Sequence, residues 1–316
     1  MLPLNLDGRV LAAIFLCLAV CRFAPAQASS DTLQSAMTQA MAARRGAAVV
    51  LDVSSGRILA SYHLDVAARR LVHPGSSIKP FTLLALLQAG KVNDRTALIC
   101  RRSVVLAGRK MDCSHPPTSQ PLDPAEALAY SCNSYFTTVA TRLTPAQLHD
   151  SLLTDGFASV TGLAKDEVAG SVALAHSTDQ LQLQAIGEWG IDITPLELAK
   201  GYRNLALLAT KREAELMPLF DGLAQSVSYG MGHMAQPPGP VKVAGKTGTA
   251  AATEGPWTHA WFAGYASADN PEIVLVVFLE KGHGGSDAAG VAQQIFAAFA
   301  QARHGSLSAE KSGARP

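Results

Sequence analysis

Stretches with the pattern of β-strands lie near both ends of this 316-residue chain, with a long helical region between them. At the N-terminal end, Ala47–Val53 and Arg57–Tyr62 flank the turn Ser54-Ser55-Gly56, which predicts a β-hairpin. Three apolar runs near the other end predict further strands: Val241–Thr249, His259–Ser267 and Glu272–Leu279. Since consecutive strands with short connections pair antiparallel, we expect an α+β fold whose antiparallel sheet is built from both chain ends.

Helical patterns occupy the rest of the chain. One helix is predicted from Ser76 to Gly90, and Thr194-Pro195-Leu196-Glu197 has the capping residues of a helix start. Ala288–Gln301 predicts a C-terminal helix. We therefore expect one domain over residues 29–303, with a helical lobe at about 91–226 and a disordered polar tail at 304–316.

The N-terminus has the features of a signal peptide. The apolar run Val10–Cys21 is shorter than the ~20 residues that span a bilayer, and Ala26-Gln27-Ala28 is a small-x-small cleavage pattern. Residues 1–28 are thus predicted to direct export to the periplasm or another extracytoplasmic space. An uncleaved anchor and a lipid on Cys21 are the alternatives. The net charge of +1 gives no reason to expect a nucleic-acid partner.

Three cysteines lie beyond the predicted signal peptide. In an oxidising compartment, Cys100 and Cys113 are candidates for a disulfide that would stabilise the fold by ~2–3 kcal/mol. A zinc site that uses Cys100, Cys113 and His115 is the alternative, but a fourth ligand is not evident and the spacing fits no common pattern. We therefore predict no metal and no cofactor. Cys132 is interpreted as a small buried side chain.

Three short strings carry the chemistry: Ser76-Ser77-Ile78-Lys79, Ser131-Cys132-Asn133 and Lys246-Thr247-Gly248. A serine hydroxyl becomes a good nucleophile only when a base takes its proton, and a lysine one helical turn away lies within reach. Burial and a second cation lower the pKa of a lysine towards neutrality, which would suit Lys79 to that role.

The third string has a competing interpretation, because Gly245-Lys246-Thr247 also ends a nucleotide-binding P-loop. That motif requires a glycine five residues before Gly245, where this chain has Pro240, and it must open a helix. The residues that follow instead lead into a strand pattern, so we reject the P-loop.

The three strings, in this order and spacing, resemble the transpeptidase domain of penicillin-binding proteins over residues 47–300. The resemblance implies an α+β fold of that family and a serine D,D-transpeptidase or D,D-carboxypeptidase that acts on D-Ala-D-Ala stem peptides of peptidoglycan. It also implies covalent binding of β-lactams to the same serine, and other cell-wall enzymes as partners.

The resemblance assigns each candidate residue a role in acyl transfer. Ser76 is the nucleophile, Lys79 the base and Ser131 the proton relay. Asn133 binds a substrate amide, Lys246 and Thr247 bind its carboxylate, and Gly248 lets the substrate backbone approach closely. The N–H groups of Ser76 and Thr249 form the oxyanion hole.

Two other functions remain open at this stage. A β-lactamase of class A has aspartate where this chain has Cys132. It also has a Glu-x-x-Leu-Asn motif whose glutamate serves in deacylation, and the residues after Glu167 do not match that motif. A class D enzyme ends the second motif in valine, whereas this one ends in Asn133. The third candidate, a non-catalytic β-lactam receptor or scaffold, is disfavoured by the intact motifs.

Overall fold

The computed structural model describes the backbone of residues 24–313 and the side chains of residues 30–304. The predicted signal-peptide core Val10–Cys21, with Cys17 and Cys21, lies outside these residues. Within them, no helix has both the length and the apolar character needed to cross a membrane.

One five-stranded antiparallel sheet forms the centre of the fold, in the order β2-β1-β9-β8-β7. Both chain ends contribute to it, because β1 pairs with β9 in a register that places Val49 opposite Val276. The strands are β1 (Gly46–Asp52), β2 (Ile58–Tyr62), β7 (Val243–Ala251), β8 (Thr258–Ala266) and β9 (Ile273–Leu279). The α+β fold and the antiparallel sheet built from both ends are therefore confirmed.

Ten α-helices and two small two-stranded sheets are also described. One sheet is the hairpin of β3 (Ser103–Leu106) with β4 (Arg109–Asp112), and the other pairs β5 (Ser171–Val172) with β6 (Ile191–Asp192). The helices are α1 (Ala24–Met41), α2 (Leu64–Arg69), α3 (Lys79–Gln88), α4 (Pro124–Ala129), α5 (Asn133–Ala140), α6 (Pro145–Thr154), α7 (Thr178–Ala185), α8 (Pro195–Ala209), α9 (Met217–Ser228) and α10 (Ala289–Gly313).

The sheet is buried on both faces. Along β1, Val49 packs into the core on one face and Val50 into the core on the other, as the alternation of side chains along a strand requires. Helices α1 and α10 cover the face of Val50, whereas α2 and α8 cover the face of Val49. The result is a three-layer arrangement in which one edge strand, β7, forms part of the wall of a site.

Three regions differ from the sequence prediction. The segment predicted as a helical lobe contains both small two-stranded sheets, and its helix α8 packs directly on the central sheet. Helix α1 begins before the predicted cleavage point at Ala28 and was not predicted, although Leu33, Met37 and Met41 recur at helical spacing and are buried. Helix α10 continues through much of the predicted disordered tail, because no proline stops it before Pro316.

Candidate active site

Ser76 lies on a single 3-10 turn, Gly75–Ile78, which leads directly into α3. The neighbouring Ser77 is fully buried, and its Oγ donates to the carbonyl of Pro74 at 2.8 Å. The phenolic O–H of Tyr202 holds the same turn through a hydrogen bond of 3.0 Å to the carbonyl of Ser77. Ser76, by contrast, is half-buried and lines a cleft. The turn therefore presents Ser76, and not Ser77, to the cleft.

The serine turn packs against β7 so closely that glycine is required on both sides. Gly75 has a φ of +52°, and a Cβ there would lie 2.7 Å from the carbonyl oxygen of Thr249. A Cβ on Gly248 would lie 2.6 Å from the carbonyl oxygen of Pro74. The space that a side chain on Gly248 would occupy is thus filled by the protein's own turn, and the approach of a substrate backbone to Gly248 stays a prediction.

Lys79 joins the first string to the second. Its Nζ donates to Asn133 Oδ1 at 2.6 Å, to the Ser131 carbonyl at 2.8 Å and to Ser131 Oγ at 3.2 Å. The side chain is fully buried, and this burial lowers the pKa of Lys79 to about 8, although the nearby thiols of Cys132 and Cys113 oppose the shift. A lysine with this pKa is deprotonated in a substantial fraction near neutral pH, as a general base requires.

Ser131 and Asn133 flank the start of α5. Ser131 takes a left-handed conformation, with φ at +55°, so that both its carbonyl and its hydroxyl reach Lys79. Cys132 caps the helix through a hydrogen bond of 3.4 Å from the Tyr135 amide to its Sγ. The amide nitrogen of Asn133 donates to the Asp112 carbonyl at 2.9 Å and so connects this motif to the hairpin β3–β4.

Lys246 lies behind the wall of the cleft. Its side chain is fully buried, and its Nζ donates to the carbonyl of Thr247 at 3.1 Å. Burial, together with the charge of Lys79, lowers the pKa of Lys246 well below the usual value for lysine. Burial is what lowers the pKa of Lys79, so the role of Lys246 as a second cation that lowers it stays a prediction. Thr247 and Thr249 line the cleft.

The cleft is a cavity of about 210 Å³ that brings together most of the predicted site residues. Its wall contains Ser76, Ser131, Asn133, Thr247 and Thr249. The hydroxyl of Thr249 is held by the Gly284 amide, which donates to it at 3.0 Å.

Sequence reasoning missed the opposite wall. Asp112 and Met111 of strand β4 line the cleft, as does Glu188 from the turn that follows α7. Arg109 Nη2 pairs with Glu188 Oε2 at 3.0 Å, and burial raises the pKa of Glu188. No local motif marks these residues, because only the packing of the hairpin brings them to the serine. The sequence yielded no deacylating carboxylate, yet the cleft contains carboxylates from two elements.

The predicted Cys100–Cys113 disulfide is not formed in this structure. Among the described residues, Cys100, Cys113 and Cys132 are all free thiols. Cys113 Sγ faces Cys132 Sγ at 3.8 Å, and Cys100 Sγ lies 3.5 Å from His115 Nε2. Cys132 is fully buried, as predicted.

Comparison with known proteins supports the family suggested by the three strings. The family model of the penicillin binding protein transpeptidase domain matches residues 46–301. Two similar curated proteins are the peptidoglycan D,D-transpeptidase MrdA of Acinetobacter baumannii, 24% identical over 84% of this chain and 52% of its own length, and the peptidoglycan D,D-transpeptidase PbpA of Mycobacterium tuberculosis, 26% identical over 66% and 50%. The chain thus spans about half the length of these relatives.

Solved structures show the same fold. The D,D-transpeptidase domain of a peptidoglycan glycosyltransferase from Eggerthella lenta superposes with a TM-score of 0.74, at 23% identity, over 86% of this chain and 81% of that chain. Pseudomonas aeruginosa PBP2, in complex with WCK 5153, gives a TM-score of 0.73 at 24% identity, over 84% and 76%. With the family model matched over most of its length, this chain belongs to the penicillin-binding protein transpeptidase domain family.

Proposed function

We propose that this protein is a serine D,D-transpeptidase that acts on the D-Ala-D-Ala ends of peptidoglycan stem peptides. The observation that carries the proposal is the network of Lys79, whose amino group bonds both Ser131 and Asn133 beside the cleft that Ser76 lines. Family membership supports the same class of activity, and the similar curated proteins carry that name.

In the proposed acylation, Ser76 Oγ attacks the carbonyl carbon of the penultimate D-alanine while neutral Lys79 accepts the hydroxyl proton. The tetrahedral oxyanion is held by the N–H groups of Ser76 and Thr249. Ser131 then passes a proton to the departing amine of the terminal D-alanine, so the peptide bond breaks as the Ser76 ester forms. An amine of a second stem peptide attacks this ester and restores the free hydroxyl.

Substrate binding follows from the same walls. Thr247 and Thr249 offer hydroxyl donors to the terminal carboxylate, and the buried Lys246 lies directly behind them. Asn133 is placed to hold a substrate amide, with its own side chain fixed by Lys79 and the Asp112 carbonyl. A β-lactam presents a carboxylate and a reactive carbonyl in one molecule, so it would acylate Ser76 in the same way.

The place of action is part of this proposal. The predicted export signal agrees with a substrate that lies outside the cytoplasm. Other cell-wall enzymes are the proposed protein partners, and a solved relative of the same fold comes from a peptidoglycan synthase complex.

Water as the acyl acceptor is the second candidate, which would make the protein a D,D-carboxypeptidase or a β-lactamase. The observation that favours it is Glu188, a carboxylate in the cleft whose pKa is raised by burial. A carboxylate of this kind can take a proton from an attacking water molecule. Its ion pair with Arg109 opposes this role, because that contact occupies one of its oxygens.

The two candidates differ in the lifetime of the acyl-enzyme. Purified protein is mixed with a penicillin, and its mass is followed for hours by mass spectrometry with peptide mapping. A transpeptidase should carry a long-lived adduct on Ser76, and it should transfer a D-Ala-D-Ala donor to an added amine. Rapid loss of the adduct in the wild type, but not in Glu188→Gln, would assign the water reaction. An adduct without any turnover of peptide donor would indicate a receptor, and absence of any adduct on Ser76 would refute the proposal.

A further inference from the structure

Four potential metal ligands meet in the interior beside the cleft. They are the Sγ atoms of Cys100, Cys113 and Cys132 and a ring nitrogen of His115, and these atoms all lie within 4.8 Å of one another. None of the four side chains is more than 8% exposed. A cluster of three thiols and an imidazole that is shielded from water in this way is the ligand set of a structural zinc site.

Two of the distances within the cluster match the geometry of a bound zinc ion. A tetrahedral zinc ion with Zn–S of ~2.3 Å and Zn–N of ~2.0 Å separates two sulfurs by about 3.8 Å and a sulfur from a nitrogen by about 3.5 Å. The Cys113 Sγ–Cys132 Sγ distance is 3.8 Å, and the Cys100 Sγ–His115 Nε2 distance is 3.5 Å. The two pairs therefore have the edge lengths of such a tetrahedron.

The surroundings of the sulfur atoms suit thiolates. Each sulfur accepts one backbone N–H, from Arg102 to Cys100 at 3.3 Å, from Ser134 to Cys113 at 3.4 Å and from Tyr135 to Cys132 at 3.4 Å. Hydrogen bonds of this kind stabilise negative charge on metal-bound sulfur.

The histidine is oriented for ligation. His115 Nδ1 lies 2.7 Å from the carbonyl oxygen of Pro116, a contact that requires the proton on Nδ1. Nε2 then carries the lone pair, and it lies 3.5 Å from Cys100 Sγ. The Arg102 guanidinium donates to the His115 carbonyl at 2.6 Å and to the Cys113 carbonyl at 2.9 Å, and its Nη1 lies 3.5 Å from His115 Nδ1. Its positive charge complements the net charge of −1 that three thiolates leave on a zinc ion.

We propose that Cys100, Cys113, His115 and Cys132 bind one zinc ion in a closed Cys3His site. The sequence supplied only three of these ligands, because Cys132 lies within the second catalytic string and reaches the others through the tertiary fold. Binding deprotonates the three thiols and releases their protons to solvent, while the neutral imidazole supplies the fourth electron pair.

The position of the site gives it a structural role. Cys100 precedes β3, Cys113 follows β4, and Cys132 lies between Ser131 and Asn133. One zinc ion would therefore tie both ends of the β3–β4 hairpin to the motif that contacts Lys79. The hairpin supplies one wall of the cleft, so the metal would act as a positioning element and would not touch the substrate.

Metal content of the full-length protein, purified without chelators, tests this inference directly. We expect about one zinc ion per chain by elemental mass spectrometry, as a closed four-ligand site requires. After removal of zinc, Co²⁺ should give the intense visible bands of tetrahedral cobalt together with thiolate-to-cobalt charge-transfer absorption. Neither readout depends on acyl transfer, so failure here would leave the proposed function intact.

Matched histidine variants assign the ligands. His115→Ala should lose most of the bound zinc and the tetrahedral cobalt spectrum, whereas His176→Ala, at an exposed histidine, should keep both. If His115→Ala does not fold, the zinc content and the cobalt spectrum of the wild-type protein are sufficient to test whether the site binds zinc. Wild-type protein without zinc and without tetrahedral cobalt bands, or with a Cys113–Cys132 disulfide, or with iron at this site, would overturn the proposal.

Discussion

The two walls of the cleft are built in different ways. On one side, the serine turn meets β7 through backbone contacts so close that Gly75 and Gly248 have no room for a side chain. On the other side, the β3–β4 hairpin is attached mainly through side chains, namely the Arg109–Glu188 ion pair and the cluster of three cysteines and His115.

The difference indicates how the site divides its tasks. Backbone packing fixes the nucleophile against the edge strand, since a side chain added at either glycine would collide. On the hairpin side, the Arg109–Glu188 ion pair can be removed without emptying the core, because Arg109 is about half exposed. We call the turn Gly75–Ile78 with β7 the serine wall, and the β3–β4 hairpin with Glu188 the hairpin wall. We expect substitutions on the serine wall to cause large losses of acylation or stability, and substitutions on the hairpin wall to cause small ones.

The largest effect is expected at the nucleophile. Ser76→Ala should abolish covalent labelling by a fluorescent penicillin, because no other hydroxyl occupies its place in the cleft. Ser77→Ala is the matched control, and it should still label while losing about 1 kcal/mol of stability with the hydrogen bond to Pro74. Labelling that persists in Ser76→Ala would show that Ser76 is not the nucleophile.

Loss of the base should come next. Lys79→Ala should slow acylation by a factor on the order of 10²–10⁴, the usual range for a general base, whereas Lys211→Ala, at an exposed lysine, should change nothing.

The same assignment predicts a pH dependence. Since burial lowers the pKa of Lys79 to about 8, the neutral base becomes more abundant as pH rises, and the acylation rate should rise and level off above about 8. A stopped-flow profile that is flat through this range would contradict the role of Lys79.

The third prediction measures how tightly the serine wall is packed. In Gly248→Ala, the added methyl group would meet the Pro74 carbonyl at 2.6 Å, and we expect a loss of ~1–3 kcal/mol in the free energy of unfolding. Gly290→Ala, in a helix with nothing within 4 Å, should instead gain up to ~1 kcal/mol from helix propensity. Chemical denaturation of both variants compares them, and equal stabilities would mean that the wall is not close-packed.

The smallest effect is expected on the hairpin wall. Arg109→Ala removes an ion pair whose arginine is about half exposed, so stability should fall by no more than ~1 kcal/mol. The unpaired Glu188 should then have a higher pKa, and acylation should change only several-fold. Arg95→Ala, at an exposed arginine away from the cleft, is the control. A loss as large as that of Lys79→Ala would show that the two walls are equally rigid.

Local patterns were sufficient for the sheet and for the serine wall. The five strands appeared as short apolar runs, and the capping residues of Thr194-Pro195-Leu196-Glu197 correctly marked the start of α8. The three strings also predicted which residues would share a cleft. The contact of Gly248 with the Pro74 carbonyl was not predictable, because a glycine in a sequence shows that space is needed but not which atoms occupy it.

The sequence by itself determined the family, and it predicted Ser76 as the nucleophile and Lys79 as its base, because these inferences depend on residue types at fixed short spacings. Only the tertiary structure brought Glu188 into the cleft and Cys132 to Cys113 and His115. Those partners are far apart along the chain, and their contacts depend on how the β3–β4 hairpin packs over α5. A disulfide between Cys100 and Cys113 was a reasonable prediction from spacing, yet burial and backbone direction placed the sulfurs around a common centre instead.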